Sequence, residues 1–236
     1  MLSSVFIIMT SNIKFKALVP MKGHSERVPN KNLRLFMDKP LCYYVINSLL
    51  ESFYIDKVYV NTESQPIKDK INQLFGERVK IIDRPLAIQG DFVTMNTIID
   101  YDLSQLDGEY FLQTHSTNPL LRVETINKVI KTFLNNQNNY DSLFTVDRIQ
   151  GRLYRENLIP VNHDLMEMLR TQDLPPIFME NSNLYIFTRS SFNKKKCRIG
   201  NNPMLFETPK LESIDIDIEE DFILAELLGS SKGLYV

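Results

Sequence analysis

Two aspartates, Asp215 and Asp217, stand one residue apart in Leu211-Glu212-Ser213-Ile214-Asp215-Ile216-Asp217, where polar and apolar residues alternate. The alternation predicts a strand over Glu212–Asp217, and side chains two apart on a strand share a face. Two carboxylates at one strand end repel unless a cation lies between them. Mg2+ commonly takes one or two carboxylates together with phosphate oxygens. A plainer reading is a strand running into an acidic helix start, where Glu219 and Glu220 favour the dipole. Near the other end of the chain, residues 20–32 form a polar loop holding Gly23 and three cations, Lys22, Arg27 and Lys31. Phosphates need backbone N–H groups that approach closely, which glycine permits, and cations that match their oxygens. A solvated basic turn would carry the same residues, and the Walker A spacing is absent.

These residues must be positioned by a scaffold, and the chain supplies a regular one. Strands are predicted at residues 16–20, 57–61, 79–83, 109–113 and 142–146, with helical patterns between them at 40–50, 66–75, 94–106 and 123–134. Strands alternating with ten-residue helical patterns imply βαβ units and a largely parallel sheet. Ligands of such sheets gather beyond the carboxyl ends of the strands, which puts the first loop at the expected site. The alternation breaks over residues 147–178, a polar stretch with Gly151, Pro160, Pro175 and Pro176. A strand at 183–187 and a closing helix at 218–228 follow. The expectation is an α/β, Rossmann-like three-layer sandwich over residues 16–236, with a mostly parallel sheet and an insertion at about 147–178.

The first loop resembles the N-terminal signature of the acylneuraminate cytidylyltransferases, a Pro-Ala-Arg-x-Gly-Ser-Lys-x-x-Pro-x-Lys-Asn type loop after a strand. Pro29, Lys31 and Asn32 match it directly, and Lys22 stands at the position of the first Arg. Glu26 stands where the sialic acid enzymes carry a Lys; Arg27, one place later, resembles the arrangement of the related deoxyoctulosonate cytidylyltransferases. Ser213-Ile214-Asp215-Ile216-Asp217 resembles the C-terminal metal motif of the same family. Two signatures at opposite ends, in the family's order, are far more specific than either alone.

The resemblance implies transfer of CMP from CTP to a 2-keto-3-deoxy sugar acid, with Mg2+ held by Asp215 and Asp217. CTP contacts would come from Lys22, Gly23, Ser25, Arg27, Lys31 and Asn32, and from Arg84 and Thr94 in segments resembling the family's base and ribose elements. Alone, Arg84 would read as a surface partner of Asp83 or Asp91. Sugar contacts would come from Gln113, Arg170, Asn181 and Tyr185, with Ser182 where the family has Gly. Lys22, Arg27 and Asp215 would be catalytic, Asp215 or a water at the metal serving as general base. His115 reads as a loop or packing residue, without a Ser-His-Asp type partner. The insertion resembles a dimerisation element, which implies a homodimer. A sugar-1-phosphate nucleotidyltransferase, an Asp-x-Asp glycosyltransferase and a non-catalytic nucleotide-binding homologue remain as alternatives.

Composition narrows the field further. Net charge is −2 and the apolar fraction 43%, so the chain can build a core, and no basic excess suits a nucleic-acid partner. Cys42 and Cys197 lie far apart without metal-type spacing, in keeping with free thiols and a cytoplasmic setting. No apolar run approaches the ~18–20 residues of a membrane span. Residues 1–15 read as an N-terminal extension, with Met9 as an alternative start and no signal-peptide pattern around Val5-Phe6-Ile7-Ile8.

Overall fold

Strand β1 (Phe15–Pro20) sends Ala17 and Val19 to one face of the sheet and Leu18 to the other, and all three are buried. That two-sided burial marks a central strand of a parallel sheet. The computed structural model describes residues 13–167 and 169–231, so most of the expected N-terminal extension, Met9 included, lies outside the described residues. Phe15 belongs to β1 and to the core, which moves the expected boundary back by one residue.

Beyond β1 the chain forms a short hairpin, β2 (Leu35–Phe36) with β3 (Lys39–Pro40), then helix α1 (Leu41–Glu51), with Pro40 at the cap position just outside it. Next come β4 (Ile55–Thr62), α2 (Gln65–Phe75), β5 (Val79–Asp83), α3 (Met95–Gln105), β6 (Tyr110–Thr114) and α4 (Val123–Asn136). Strands β7 (Ser142–Ile149) and β8 (Ile177–Thr188), helix α5 (Arg189–Lys195), strand β9 (Pro203–Glu207) and helix α6 (Glu219–Ser230) complete the order. The sheet runs β5-β4-β1-β6-β8-β7-β9, with β8 antiparallel to both neighbours and every other pairing parallel.

Helices α1, α2 and α4 cover one face through residues such as Val45, Ile71 and Ile130. On the opposite face, α3 and α5 pack Ile99, Leu103 and Phe192 against Leu18, Phe111 and Phe187. The α/β three-layer sandwich is therefore present as expected. A third cluster joins α6 to the first loop and the hairpin, through Phe222 and Ala225 against Val28 and Phe36. It brings the two ends of the chain together.

Three expectations change. Residues 212–217 form no strand; they run extended beside the loop after β6, fixed by the Ile216 N–H donating to the Thr117 carbonyl (2.9 Å) and the Arg122 N–H donating to Glu212 (3.0 Å). Alternation reports one-sided burial, and here Ile216 is buried without a ladder partner. Strands β7 and β8 run on past the sheet as a two-stranded arm, pairing Val146–Ile149 with Ile177–Glu180. The expected insertion thus begins and ends in regular β-structure, its polar, turn-rich part lying between residues 149 and 177. Finally, α5, β9 and the hairpin form where the sequence carries no distinct periodic pattern.

Candidate active site

The carboxyl ends of β1 and β6 open onto a cleft of about 720 Å³. Its walls carry the first loop, the segment around Gly90–Met95, the residues after β6 and the two aspartates of the C-terminal segment. Asp215 and Asp217 both face it, although no strand places them there. The Arg27 guanidinium donates to Asp217 at 2.8 Å, and Lys31 Nζ lies 3.7 Å from the same oxygen while donating to the Ile216 carbonyl. Loop and motif, 190 residues apart in sequence, meet in an ion pair.

The carboxylates differ in setting. Asp217 is half-exposed and paired. Asp215 is mostly buried; that burial raises its carboxyl pKa, and its Oδ1 has no hydrogen-bond partner among the described residues. A buried unpaired carboxylate oxygen is costly unless something cationic satisfies it. The acidic residues that follow serve the helix. Asp221 accepts from the Asp217 and Ile218 N–H groups, and Glu219 forms a two-pronged pair with Arg34 at 2.6 Å.

Lys22 pairs with Asp91 across the cleft mouth at 2.7 Å, and Ser25 and Glu26 line the same wall. Burial lowers the Lys31 ammonium pKa. Asn32 is a staple within the loop, donating to the Lys22 carbonyl (3.0 Å) and accepting from the Ser116 hydroxyl (2.5 Å). Gly23 has a different task from the one expected. Its N–H donates to Glu63 Oε1 at 2.6 Å, and a Cβ here would sit 2.7 Å from Ser64 Cβ. Glycine is required by the close approach of the turn after β4, and its N–H is held within the protein.

Arg84 is buried, and it pairs neither with Asp83 nor with Asp91. It bonds the side chain and carbonyl of Asn61 (2.6 and 3.0 Å), lies 3.1 Å from Glu63, and still borders the cleft. Asn61 in turn donates to Asp102 on α3, whose carboxyl is pushed up to about 7, burial being the main cause. Thr94 caps α3, its hydroxyl accepting the Thr97 N–H at 3.2 Å, and it lies outside the cleft lining.

At the sugar end the structure brings two of the four expected residues together. Gln113 and Tyr185 are cross-strand partners on β6 and β8, on the face covered by α3 and α5. Asn181 sits at a bulge and spends its amide on Asp147 (3.0 Å) and Thr208 (2.6 Å). Ser182 beside it has φ 56°, the left-handed region that glycine occupies at no steric cost, and it lines the cleft. Arg170 lies on the exposed arm, bound to Asp173 at 2.6 and 3.1 Å, and does not line this chain's cleft.

The sequence pattern of the family described as Cytidylyltransferase matches residues 16–226. The chain belongs to the cytidylyltransferase family. As a member it is a nucleotidyltransferase, 22% identical to a pseudaminic acid cytidylyltransferase of Campylobacter jejuni over 92% of this chain and 96% of that one. An N-acylneuraminate cytidylyltransferase of Streptococcus agalactiae is also 22% identical, over 87% of this chain but 51% of its own length. In fold this cytidylyltransferase is similar to the CTP complex of a CMP:2-keto-3-deoxy-manno-octonic acid synthetase (TM-score 0.65, 13% identity, 91% and 98% of the two chains). It is similar to the same degree to a 4-diphosphocytidyl-2C-methyl-D-erythritol synthase of Anaerococcus prevotii (TM-score 0.65, 12% identity, 93% and 97%).

Behind the cleft wall, Gln113 and Tyr185 share a partner that no local motif signals. Arg198 follows α5 and reaches back over Tyr185, 3.5 Å from the ring centre, donating to Gln113 Oε1 at 2.5 Å. Its Nη1 is also 3.4 Å from His115 Nε2. Nothing in Lys194-Lys195-Lys196-Cys197-Arg198 separates this cation from a solvated basic run. His115 keeps a neutral imidazole, its pKa lowered to about 4 by burial first and then by Arg198 and Lys31. It is a poor proton acceptor near neutral pH. Both cysteines are free thiols, Cys42 buried and pushed up to about 12 by that burial. Among the described residues no helix is long and apolar enough to cross a membrane.

Proposed function

We propose that the protein joins CMP from CTP to a free 2-keto-3-deoxy sugar acid of the sialic or pseudaminic type, releasing pyrophosphate. The observation that carries this reading is the meeting of the cationic first loop with Asp215 and Asp217 across one cleft, through the Arg27–Asp217 pair. The anomeric hydroxyl of the acid attacks the α-phosphorus of CTP, and the bond from that phosphorus to the bridging oxygen of the β-phosphate breaks. Lys22 and Arg27 hold the triphosphate and stabilise the charge that gathers on the departing pyrophosphate. Their present partners, Asp91 and Asp217, are exposed ion pairs, which are worth little and exchange readily for phosphate.

The fit of Asp215 and Asp217 to Mg2+ rests on the orphaned Oδ1 of Asp215, on two carboxylates sharing a cleft wall, and on a substrate that brings phosphate oxygens. When bound, the ion supplies charge neutralisation at the reacting phosphate. The proton of the attacking hydroxyl passes to the Asp215 carboxylate on the cleft wall, or to water beside it. The arm exposes Leu158, Leu165, Met166 and Met179, an apolar surface that suits a second copy of this chain and supports a homodimer. Light scattering at micromolar concentration tests it; a uniform monomer counts against it.

The reaction is tested by pyrophosphate release from CTP and Mg2+ against N-acetylneuraminate, pseudaminate and 3-deoxy-manno-octulosonate, with sugar 1-phosphates alongside. Release with a free acid and none with the phosphates is expected. Release with a sugar 1-phosphate alone overturns the reading.

A further inference from the structure

We propose that Arg198 grips the carboxylate of the acceptor sugar acid, an inference that rests on the reaction above. The first observation is an imbalance of partners. The Arg198 side chain is only 15% exposed, yet among the described residues its one hydrogen-bond acceptor other than the His115 ring is Gln113. A guanidinium carries five N–H donors and cannot shed its charge. The nearest carboxylate, Glu180, lies 3.7 Å from Nη2 and already accepts the Tyr185 hydroxyl. A buried cation so poorly matched is costly to keep, and the missing partner is a planar acceptor.

The second observation is where the fork lies. The guanidinium carbon lies over the Tyr185 ring, 3.5 Å from its centre, and Gln113 pins one edge. His115 and Ser182, which touch Arg198 and the Tyr185 hydroxyl at 3.4 Å each, are themselves part of the cleft wall. The Arg198 guanidinium therefore lies one side chain behind the cleft wall, against His115, on the side of β6 away from the turn that holds Gly23. With His115 neutral and Lys31 close by, this end of the cleft is electropositive. A planar, stacked, positive fork matches a carboxylate in two parallel hydrogen bonds. The acceptor's carboxylate sits on the carbon that bears the attacking hydroxyl, so gripping it also aims that hydroxyl. Arg170, the other guanidinium expected at the sugar, is 72% exposed with its fork filled by Asp173.

The test measures calorimetric binding of N-acetylneuraminate, pseudaminate and 3-deoxy-manno-octulosonate, each free and as its C1 carboxamide. The full-length protein is loaded with a non-hydrolysable CTP analogue, and Arg198→Ala, Arg198→Lys and Arg170→Ala are run beside the unmodified chain. The unmodified protein is expected to prefer one acid over its carboxamide by about 100-fold. Arg198→Ala erases that preference, Arg198→Lys keeps part of it, and all variants bind the CTP analogue within about twofold of the unmodified chain, which shows them folded. An unchanged preference in Arg198→Ala, or a preference lost only in Arg170→Ala, overturns the assignment while leaving the reaction standing. Binding of the CTP analogue without binding of any acid overturns the reaction and the assignment together.

Discussion

The cleft and the wall behind it hold two kinds of cation, and they differ in what they cost the fold. Lys22 and Arg27 sit at its mouth, half or more exposed, each with one carboxylate partner. Arg84 and Arg198 lie within the protein, tied to Asn61 and Gln113, and burial lowers the pKa of both guanidinium groups. Exposed pairs contribute at most ~1 kcal/mol to stability, so the mouth can trade its partners for phosphate without disturbing the structure. Breaking a buried pair costs about 3–5 kcal/mol, because a charge is stranded. The mouth is therefore free to act on a substrate, whereas the interior cations hold the shape of the cleft and read only what fits it.

The sharpest way to break this comparison is to remove a cation of each kind. Arg27→Ala should lower kcat by about 10²–10³-fold, the usual loss when a charge-stabilising donor is removed, while Tm stays within about 2 °C. Arg84→Met should do the reverse in stability, stranding Glu63 and lowering Tm by roughly 10 °C. Thermal melts and steady-state rates on the same preparations check both, and equal Tm losses would dissolve the distinction.

A pH series sharpens it. Asp102, beneath Arg84, has a folded pKa of about 7 against 3.8 for the ordinary group. Between those values the folded state binds the extra proton, so stability falls as pH rises from about 4 through 7 and then levels off. Melts from pH 5 to pH 8 should show this decline, flattened in Asp102→Asn. An identical decline in the variant would remove Asp102 as its source. Smaller effects are expected at the rim. Thr94→Ala should cost about 1 kcal/mol by loss of the helix cap with the KM for CTP unchanged; a raised KM would make Thr94 a nucleotide contact after all. Glu26→Gln should lower the KM for CTP about two- to threefold, less at high salt, because one repelling carboxylate leaves the mouth.

What was legible in the sequence follows the same division. The mouth is written in short local motifs, so Lys22, Arg27, Lys31 and the two aspartates could be singled out locally, and the resemblance of both motifs to one family then chose between the plain and the functional reading. The βαβ order was legible because α4 buries Ile126, Val129, Ile130, Phe133 and Leu134 at helical spacing, between short apolar runs that form the strands. The interior was not. Arg198 gains its meaning from Gln113, 85 residues away, and Tyr185 beneath it, and no local pattern encodes that meeting. Asn181 was expected at the sugar, yet the bulge marked by Ser182 gives its amide to Asp147 and Thr208. The Glu212–Asp217 alternation was real but reflected burial of Ile216 against the helix α6 cluster, not strand pairing.

The central claim is that CMP transfer occurs between the first loop and the aspartate pair. It is tested most directly by comparing pyrophosphate release, at saturating CTP and Mg2+ and with the acid that supports turnover, in the unmodified chain and in Asp217→Ala. CTP binding is measured on both by calorimetry. The account predicts a loss of about 10³-fold in rate with CTP still bound. A variant that retains its rate to within a few-fold would contradict it.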